Sequence, residues 1–303
     1  MASIEQFSSC LDSTIVKLLK DRNIKSVADF LQEKPENIAK ITKLNFKDVL
    51  EIKQKLLVSF QSNFHGACSL LTKSIDNSFV LISGIEEIDT LLNGFKSGII
   101  YEMCGLSGSG KTHTCLSLAA NTAIKAKCVY YIDTKGDFSA IKLKQIISKT
   151  HSSKKDIMAC LERIRVTTVY TLYEVISALH WLKNQLLYDS VPLIIIDCLS
   201  TAYFLSVGAD KLIGLGLLNH IANLIKFIAI EHHVVIVITN LATKDFKNND
   251  VVLRRNTKPC LGKYWLHVAN YRLNFKKENN LIQVSLDEDS VLGDNTTCNI
   301  NII

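Results

Sequence analysis

The chain has 303 residues, 48% of them hydrophobic, with 35 Lys and Arg against 29 Asp and Glu and a net charge of +6. That is room for one large domain plus a small one, with apolar mass for a full core. No apolar run approaches the ~18 residues of a membrane span, and Met1 to Ser13 lacks a basic region followed by an apolar run, so neither a membrane partner nor a secretory signal is expected. The nine cysteines are scattered, with no C-x-x-C pair. They read as small buried thiols in a reducing compartment, cytosol or nucleus. The modest positive balance permits a nucleic-acid partner without demanding one.

Residues 1–60 read as a small all-α domain of helix-hairpin-helix character. Leu11 to Lys20 repeats apolar residues at helical spacing (Leu11, Ile15, Leu18, Leu19). Asn23 and Ile24 make a turn, and Ser26 is the N-cap of a helix from Val27 to Gln32. Pro35 fits the first turn of a further helix through Ala39 and Ile41. Phe46 to Phe60 is the last and longest helix. Residues 61–80 are mixed and weakly periodic, and read as a linker. Within them lies Phe64-His65-Gly66-Ala67, an aromatic anchor beside a small residue. Either it docks on another chain, or Phe64 caps the N-terminal bundle.

From Leu81 the pattern changes to alternating strands and helices. Strands are expected at Ile99–Cys104, Cys128–Asp133, Arg163–Thr167, Leu193–Asp197, Val234–Thr239 and Tyr271–Lys276. Helices are expected at Thr112–Ala126, Ala140–Lys149, Leu172–Leu187 and Leu212–His232. Continuous apolar runs such as Leu193 to Ile196 suit strands buried on both faces. The alternation means an α/β domain over 81–303 with a mostly parallel, doubly wound sheet, and such sheets bind ligands at the carboxyl ends of their strands. The polar tail after Lys277 suggests one hairpin strand, Leu281 to Leu286, and then a disordered end.

The chemistry starts at Gly105-Leu106-Ser107-Gly108-Ser109-Gly110-Lys111-Thr112, a complete G-x-x-x-x-G-K-[ST] phosphate loop between a strand and a helix. Its glycines let the backbone wrap an anion, and its N–H groups point at phosphate. Lys111 reaches the β- and γ-phosphates, and the Thr112 hydroxyl ligates Mg²⁺. ATP and Mg²⁺ are the expected ligands. Leu193-Ile194-Ile195-Ile196-Asp197 delivers a carboxylate to a strand tip, where it holds Mg²⁺ through water. The stretch from Thr243 to Lys258 gathers Lys244, Lys247, Arg254, Arg255 and Lys258. It reads either as a solvated charged loop or as a contact for the phosphates of single-stranded DNA.

Ser83-Gly84 … Ile88-Asp89 … Leu91-Leu92 … Gly94 … Gly98, leading into the phosphate loop, resembles the lead-in segment of RecA/RadA-type recombinases. Tyr130-Tyr131-Ile132-Asp133-Thr134 is similar to their next strand, Val237-Ile238-Thr239-Asn240 to the strand before their second DNA loop, and Pro259-Cys260-Leu261-Gly262 … Trp265 … Arg272 to their P-A-L-G-x-x-W … R-L segment. The likeness runs from about residue 10 to residue 276 and is greatest to the eukaryotic recombinase paralogues, paralogue D in particular. It implies a RecA-like P-loop ATPase core behind a small helical domain. It also implies a nuclear subunit for homologous recombination, meiosis and DNA repair that binds single-stranded DNA and works in hetero-oligomers. In that arrangement the N-terminal domain and linker engage paralogue C, and the ATPase domain engages the X-ray-repair cross-complementing paralogue. Phe64 and Ala67 would be the two plugs of the family's F-x-x-A assembly motif.

Two departures from the family pattern bear on activity. Active members follow Asp-Thr with a glutamate that polarises the attacking water, whereas this chain reads Asp133-Thr134-Lys135-Gly136. A lysine does not accept a proton at neutral pH at its ordinary pKa, but it adds positive charge near a γ-phosphate. The alternative is that Lys135 points to solvent and Asp133 or Asp137 serves as base. Leu241 stands where filament-forming members carry glutamine, and it has no amide to couple nucleotide to the DNA loop. The sequence therefore predicts an ATP-binding subunit with weak or no hydrolysis. Its rivals are an active DNA-dependent ATPase and strand-exchange recombinase, or a non-enzymatic scaffold with a structural nucleotide site.

Overall fold

The computed structural model describes residues 12–59, 66–150, 153–187, 191–207, 211–244, 257–278, 281–287 and 297–301. They fall into two compact units, Met1–Thr72 and Lys73–Ile303.

The first unit holds helices α1 (Ser13–Asp21), α2 (Val27–Gln32), α3 (Pro35–Thr42) and α4 (Phe46–Ser59). Ser26 starts α2 with a reciprocal cap. Its hydroxyl accepts from Asp29 N at 3.1 Å, and the Asp29 carboxylate accepts from Ser26 N at 2.8 Å, which satisfies two otherwise orphaned donors. Pro35 opens α3 at its first position, where its missing N–H costs nothing. The apolar stripes meet in one small core of Val16, Leu19, Ile24, Val27, Phe30, Ile38, Val49 and Leu56. Lys53 of α4 donates its ammonium to the carbonyls of Leu31 and Glu33, tying α4 to the end of α2.

Residues 61–80, expected as a linker, contain a helix α5 (Ala67–Asp76) and the start of a strand β1 (Val80–Leu81). None of the α5 side chains is buried, so its apolar residues carry too weak a core signal to mark a helix in the sequence.

The remaining elements are α6 (Glu86–Leu92), β2 (Phe95–Lys96), β3 (Ile100–Gly105), α7 (Lys111–Ile124), β4 (Val129–Asp133), α8 (Ala140–Ser148), α9 (Lys154–Glu162), β5 (Ile164–Thr168), α10 (Leu172–Gln185), β6 (Leu193–Asp197), α11 (Leu199–Val207), α12 (Lys211–His232), β7 (Val235–Lys244), β8 (Thr257–Pro259), α13 (Gly262–Trp265), β9 (Tyr271–Glu278), β10 (Leu281–Leu286) and β11 (Thr297–Asn301). The main sheet runs β11-β10-β9-β3-β7-β6-β4-β5, with β8 paired to β7. The six strands from β9 to β5 are mutually parallel, and β10 and β11 add antiparallel at one side. This is a RecA-like α/β core, doubly wound. One face buries Met103, Tyr131, Ile195 and Val237 under α7, α8 and α9. The other buries Ile132, Ile194, Ile196 and Ile236 under α10 and α12. Alternate residues of the same strands feed the two cores.

Two expectations are corrected here. The tail beyond Leu286 does not simply lose order, because Thr297–Asn301 pairs in register with β10, Ile300 opposite Ile282. In the sequence this five-residue strand is too short and too polar to register as one. Helix α12, from Leu212 to His232, is long and apolar enough by length and composition to cross a membrane, although no unbroken apolar run shows it. Asn219, His220, Asn223 and Lys226 interrupt the run while the average stays high. In the fold its Leu218, Ile221, Ile225 and Ile228 are fully buried against the sheet, so it is a core helix of the α/β layer.

Candidate nucleotide site

The site sits at the carboxyl ends of β3, β4, β6 and β7. The phosphate loop leaves β3 at Gly105 and enters α7 at Lys111. Gly108 and Gly110 take φ of 73° and 97°, a region closed to most residues with a Cβ. Gly105 is required for a different reason. A Cβ there would overlap the Phe275 carbonyl oxygen and lie 2.7 Å from the Ser109 hydroxyl. Lys111 is 6% exposed. Its ammonium folds back onto the Gly105 and Leu106 carbonyls, both at 2.8 Å, and the Ser109 hydroxyl at 3.2 Å. Burial pulls its pKa down, and the nearby charge of Lys135 adds to that pull. Two lysines thus crowd one spot that wants negative charge.

Asp197 ends β6, 3% exposed. One carboxylate oxygen accepts from the hydroxyls of Thr112 at 2.7 Å and Tyr131 at 2.8 Å, and the other from Thr239 at 2.5 Å. Burial, followed by the charge of Asp197, pushes the Tyr131 phenol well up, so Tyr131 stays a donor. The following peptide, Asp197–Cys198, is cis. Thr134 bridges the two strand ends. Its hydroxyl donates to the Cys198 carbonyl at 2.6 Å and accepts from Cys198 N at 2.8 Å.

Asp133 lies two residues before the position of the missing glutamate, and three backbone donors engage it. It is 2% exposed. One oxygen accepts from Lys135 N and Gly136 N, and the other from Phe138 N, all at 3.0 Å. It holds the turn that carries Lys135, and three backbone donors occupy most of its acceptor capacity. Asp137 is the other alternative. Its side chain is 60% exposed, with an oxygen 3.9 Å from the Lys135 ammonium. Lys135 itself is only 21% exposed, so it is not a solvent-pointing side chain.

Glu102, Arg272 and Asp287 form a buried network that the sequence reading did not single out. Glu102 lies on β3, three residues before the loop, and pairs in register with Arg272 of β9. Arg272 Nε donates to Glu102 at 2.6 Å, Nη1 to Asp287 at 3.1 Å, and Nη2 to the Leu266 carbonyl at 3.0 Å. The Asn240 amide donates to the other Glu102 oxygen at 2.7 Å. Burial pushes the Glu102 carboxyl up, opposed chiefly by Arg272. Burial pulls the Arg272 guanidinium down, and Glu102 more than offsets it. The pair is an ion pair spanning β3, β7 and β9. The signal in the sequence was a lone glutamate inside an apolar strand, but its partner needed the strand register to find.

The lead-in motif proves to be scaffolding. Asp89 accepts from Ser83 N at 2.8 Å, the Ser83 hydroxyl at 2.9 Å and Gly84 N at 2.9 Å. The Asn121 amide of α7 donates to the Ser83 carbonyl at 2.7 Å. Leu241 is pinned by its backbone: its N–H donates to the Ser200 hydroxyl and its carbonyl accepts from Cys260 N, both at 2.9 Å. Of the basic loop, Lys244 pairs opposite Thr257 and Lys258 opposite Thr243 on β7 and β8, and Lys258 is exposed. Lys247, Arg254, Arg255 and Phe64 lie outside the described residues. Ala67 is the exposed first residue of α5.

A separate groove of about 300 Å³ lies between the edge strand β5 and α10, lined among others by Tyr130, Arg165, Val166 and Trp181. Arg165 donates to the Tyr130 hydroxyl at 2.6 Å, and Tyr130 meets Trp181 edge-on at 5.7 Å.

The residues fit a nucleotide triphosphate and Mg²⁺. The loop has a glycine floor that a Cβ would fill, a buried lysine resting on loop carbonyls, and a Thr112–Asp197 pair of hard oxygen donors. The Rad51 family profile matches residues 76–299, and the profile described as "RAD51D, N-terminal domain" matches residues 1–59. The chain is similar to the DNA repair protein RAD51 homolog 4 of Mus musculus, 28% identical over 271 residues, covering 87% of this chain and 80% of the relative. The Bos taurus protein of that name is 26% identical over 271 residues, covering 87% and 81%. DNA repair and recombination protein RadB of Methanococcoides burtonii is 30% identical over 201 residues, covering 65% and 83%.

Proposed function

Because this chain belongs to the Rad51 family, among the RAD51 paralogues of DNA repair and homologous recombination, we propose that it is a subunit that holds ATP and hydrolyses it weakly or not at all. The observation that carries this reading is the engagement of Asp133 by three backbone N–H groups together with Lys135 at the base position. Lys111 and the loop N–H groups bind the phosphates, and Thr112 and Asp197 hold Mg²⁺. The metal, when bound, neutralises phosphate charge. Lys135 adds a second ammonium beside Lys111, which favours the triphosphate and offers no acceptor for a proton from water. The buried pair Glu102–Arg272 keeps β3, the strand that ends in the loop, fixed against β9.

The same reading makes the protein a nuclear member of paralogue hetero-oligomers that contacts single-stranded DNA through Lys244, Lys258 and the basic stretch between them. The groove beside β5 supports a contact with another paralogue. Among the described residues it offers a strand edge that no other strand covers, with aromatic walls and a guanidinium, a combination that suits an extended segment with a buried aromatic.

The test is ATP binding and turnover by the purified chain, with and without single-stranded DNA. Tight binding in Mg²⁺ with negligible turnover is expected. Lys111→Ala should lose binding. Lys135→Glu restores a carboxylate on a turn already shaped by Asp133, and should raise turnover by about 10²-fold, the low end of a general base's contribution. Brisk DNA-stimulated turnover in the unaltered chain would overturn the proposal in favour of a working recombinase motor.

A further inference from the structure

His180 on α10 and His220 on α12 face each other with their Nε2 atoms 3.2 Å apart. Both side chains are exposed, and neither takes part in the nucleotide site. Their two helices pack on each other under the sheet. From this geometry we infer that His180 and His220 form a two-point clip for a borderline divalent transition-metal ion such as Zn²⁺.

The spacing is the first argument. Imidazole nitrogens bind Zn²⁺ at about 2.0–2.1 Å, so two nitrogens 3.2 Å apart subtend roughly 100° at a shared metal, close to the tetrahedral value. The two donor atoms already lie within reach of one ion, and rotation of the exposed side chains is what aims both lone pairs at it. Ring chemistry is the second argument. Both nitrogens must present lone pairs. Burial, then the neighbouring His220, pulls the His180 pKa down, so that ring is neutral and ligand-ready at neutral pH. Without metal, the same contact is a single hydrogen bond in which one Nε2–H donates to the other ring; binding an ion requires the donor ring to shift that proton to Nδ1, which frees both Nε2 lone pairs. Lys183 is the nearby charge that opposes a cation. Its ammonium is instead seated over the Phe227 ring at 4.0 Å from the centroid.

No set of three or more His, Cys, Asp or Glu poised for a metal exists among the described residues. The clip is therefore a two-ligand site on rigid elements, with its remaining positions open to water. A bound ion would staple α10 to the middle of α12 and stabilise the folded unit by mass action.

The test is a Zn²⁺ titration of the untagged full chain labelled with ¹⁵N-histidine, followed by ring-nitrogen NMR. That readout separates imidazole binding from binding at the cysteines or at Asp197. The Nε2 signals of two of the eight histidines should move at the first equivalent of Zn²⁺. The thermal midpoint should rise with Zn²⁺. His180→Ala and His220→Ala should each weaken binding at least tenfold and abolish the rise. Because both rings are exposed, these variants keep the fold, and His220→Gln, which preserves a polar partner for His180, should lose the metal too. Histidine signals that stay still under Zn²⁺, or shifts that survive in both alanine variants, would overturn the assignment.

Discussion

Replacing Arg272 with methionine removes a buried cation and leaves most of the volume in place. Glu102 is fully buried and Arg272 is 4% exposed, so water cannot take over the lost contacts. Of the contacts described, Glu102 keeps the Asn240 amide, and Asp287 loses its contact with the guanidinium. Breaking one side of such a pair costs about 3–5 kcal/mol, a large share of the roughly 5–15 kcal/mol that holds a domain. With a urea slope of about 2 kcal/mol/M, the midpoint should fall by about 2 M. The loss depends on pH in a definite direction. Burial already raises the folded Glu102 pKa above its ordinary 4.5, and Arg272 is the main opposing influence, so the variant raises it further. A carboxyl with a raised folded pKa binds more protons folded than unfolded, so stability falls as pH rises above 4.5 and the defect is relieved on acidification. Glu102→Gln on the Arg272→Met background should recover much of the loss at neutral pH. Urea titrations at pH 5.5 and pH 8, read by the fluorescence of buried Trp265, make the comparison. A midpoint shift below about 0.5 M, or equal shifts at both pH values, would refute the account of this pair as a charged, water-excluded clamp.

Three smaller predictions concern the site itself. Gly105→Ala places a methyl group against the Phe275 carbonyl and Ser109, so it should destabilise the α/β unit by about 1–3 kcal/mol in thermal melts and weaken ATP binding at least tenfold. Tyr131→Phe deletes a buried donor to a carboxylate, 2.8 Å long, and should cost about 1.5–3 kcal/mol by denaturant titration. Asp197 keeps Thr112 and Thr239 in that variant, so nucleotide binding should survive at raised Mg²⁺. Lys135→Glu, paired with a Lys135→Ala control, should show turnover only in the glutamate variant, because removing the ammonium alone supplies no base.

Much of this fold was legible because local chemistry and burial agree. Ser26 announced α2, Pro35 announced α3, and Leu193 to Asp197 showed β6 at its observed bounds. The elements missed are those where local signal is weak. Helix α11 is apolar all round and shows no stripe, α6 is only two turns long, and β11 gains its identity from pairing with β10. The phosphate loop, Lys135 and Asp197 were readable as residue types at fixed spacing. The partners that give them meaning were not. Tyr131 and Thr239 reach Asp197 from neighbouring strands, and Asp133 looked like a candidate base until its three backbone donors were in view. The partners of Asp197 live in the register of parallel strands, which no single stretch of sequence encodes, and those of Asp133 in the backbone path of a turn that residue types alone do not specify.

The placement of β11 has a consequence for synthesis. Its Ile300 joins the same core as Ile88 of α6, and the two elements touch. The strand carrying the phosphate loop, β3, is flanked by β7 and β9, both made more than a hundred residues later. On the ribosome the N-terminal helices can fold as soon as they emerge, but the α/β unit must wait with its central strand unpaired until β7 and β9 are available. During that wait an apolar strand and its neighbours are open to chaperones or to misassociation. The strand that carries the phosphate loop is therefore enclosed only by strands made more than a hundred residues after it, so the loop's setting is completed late relative to the loop itself.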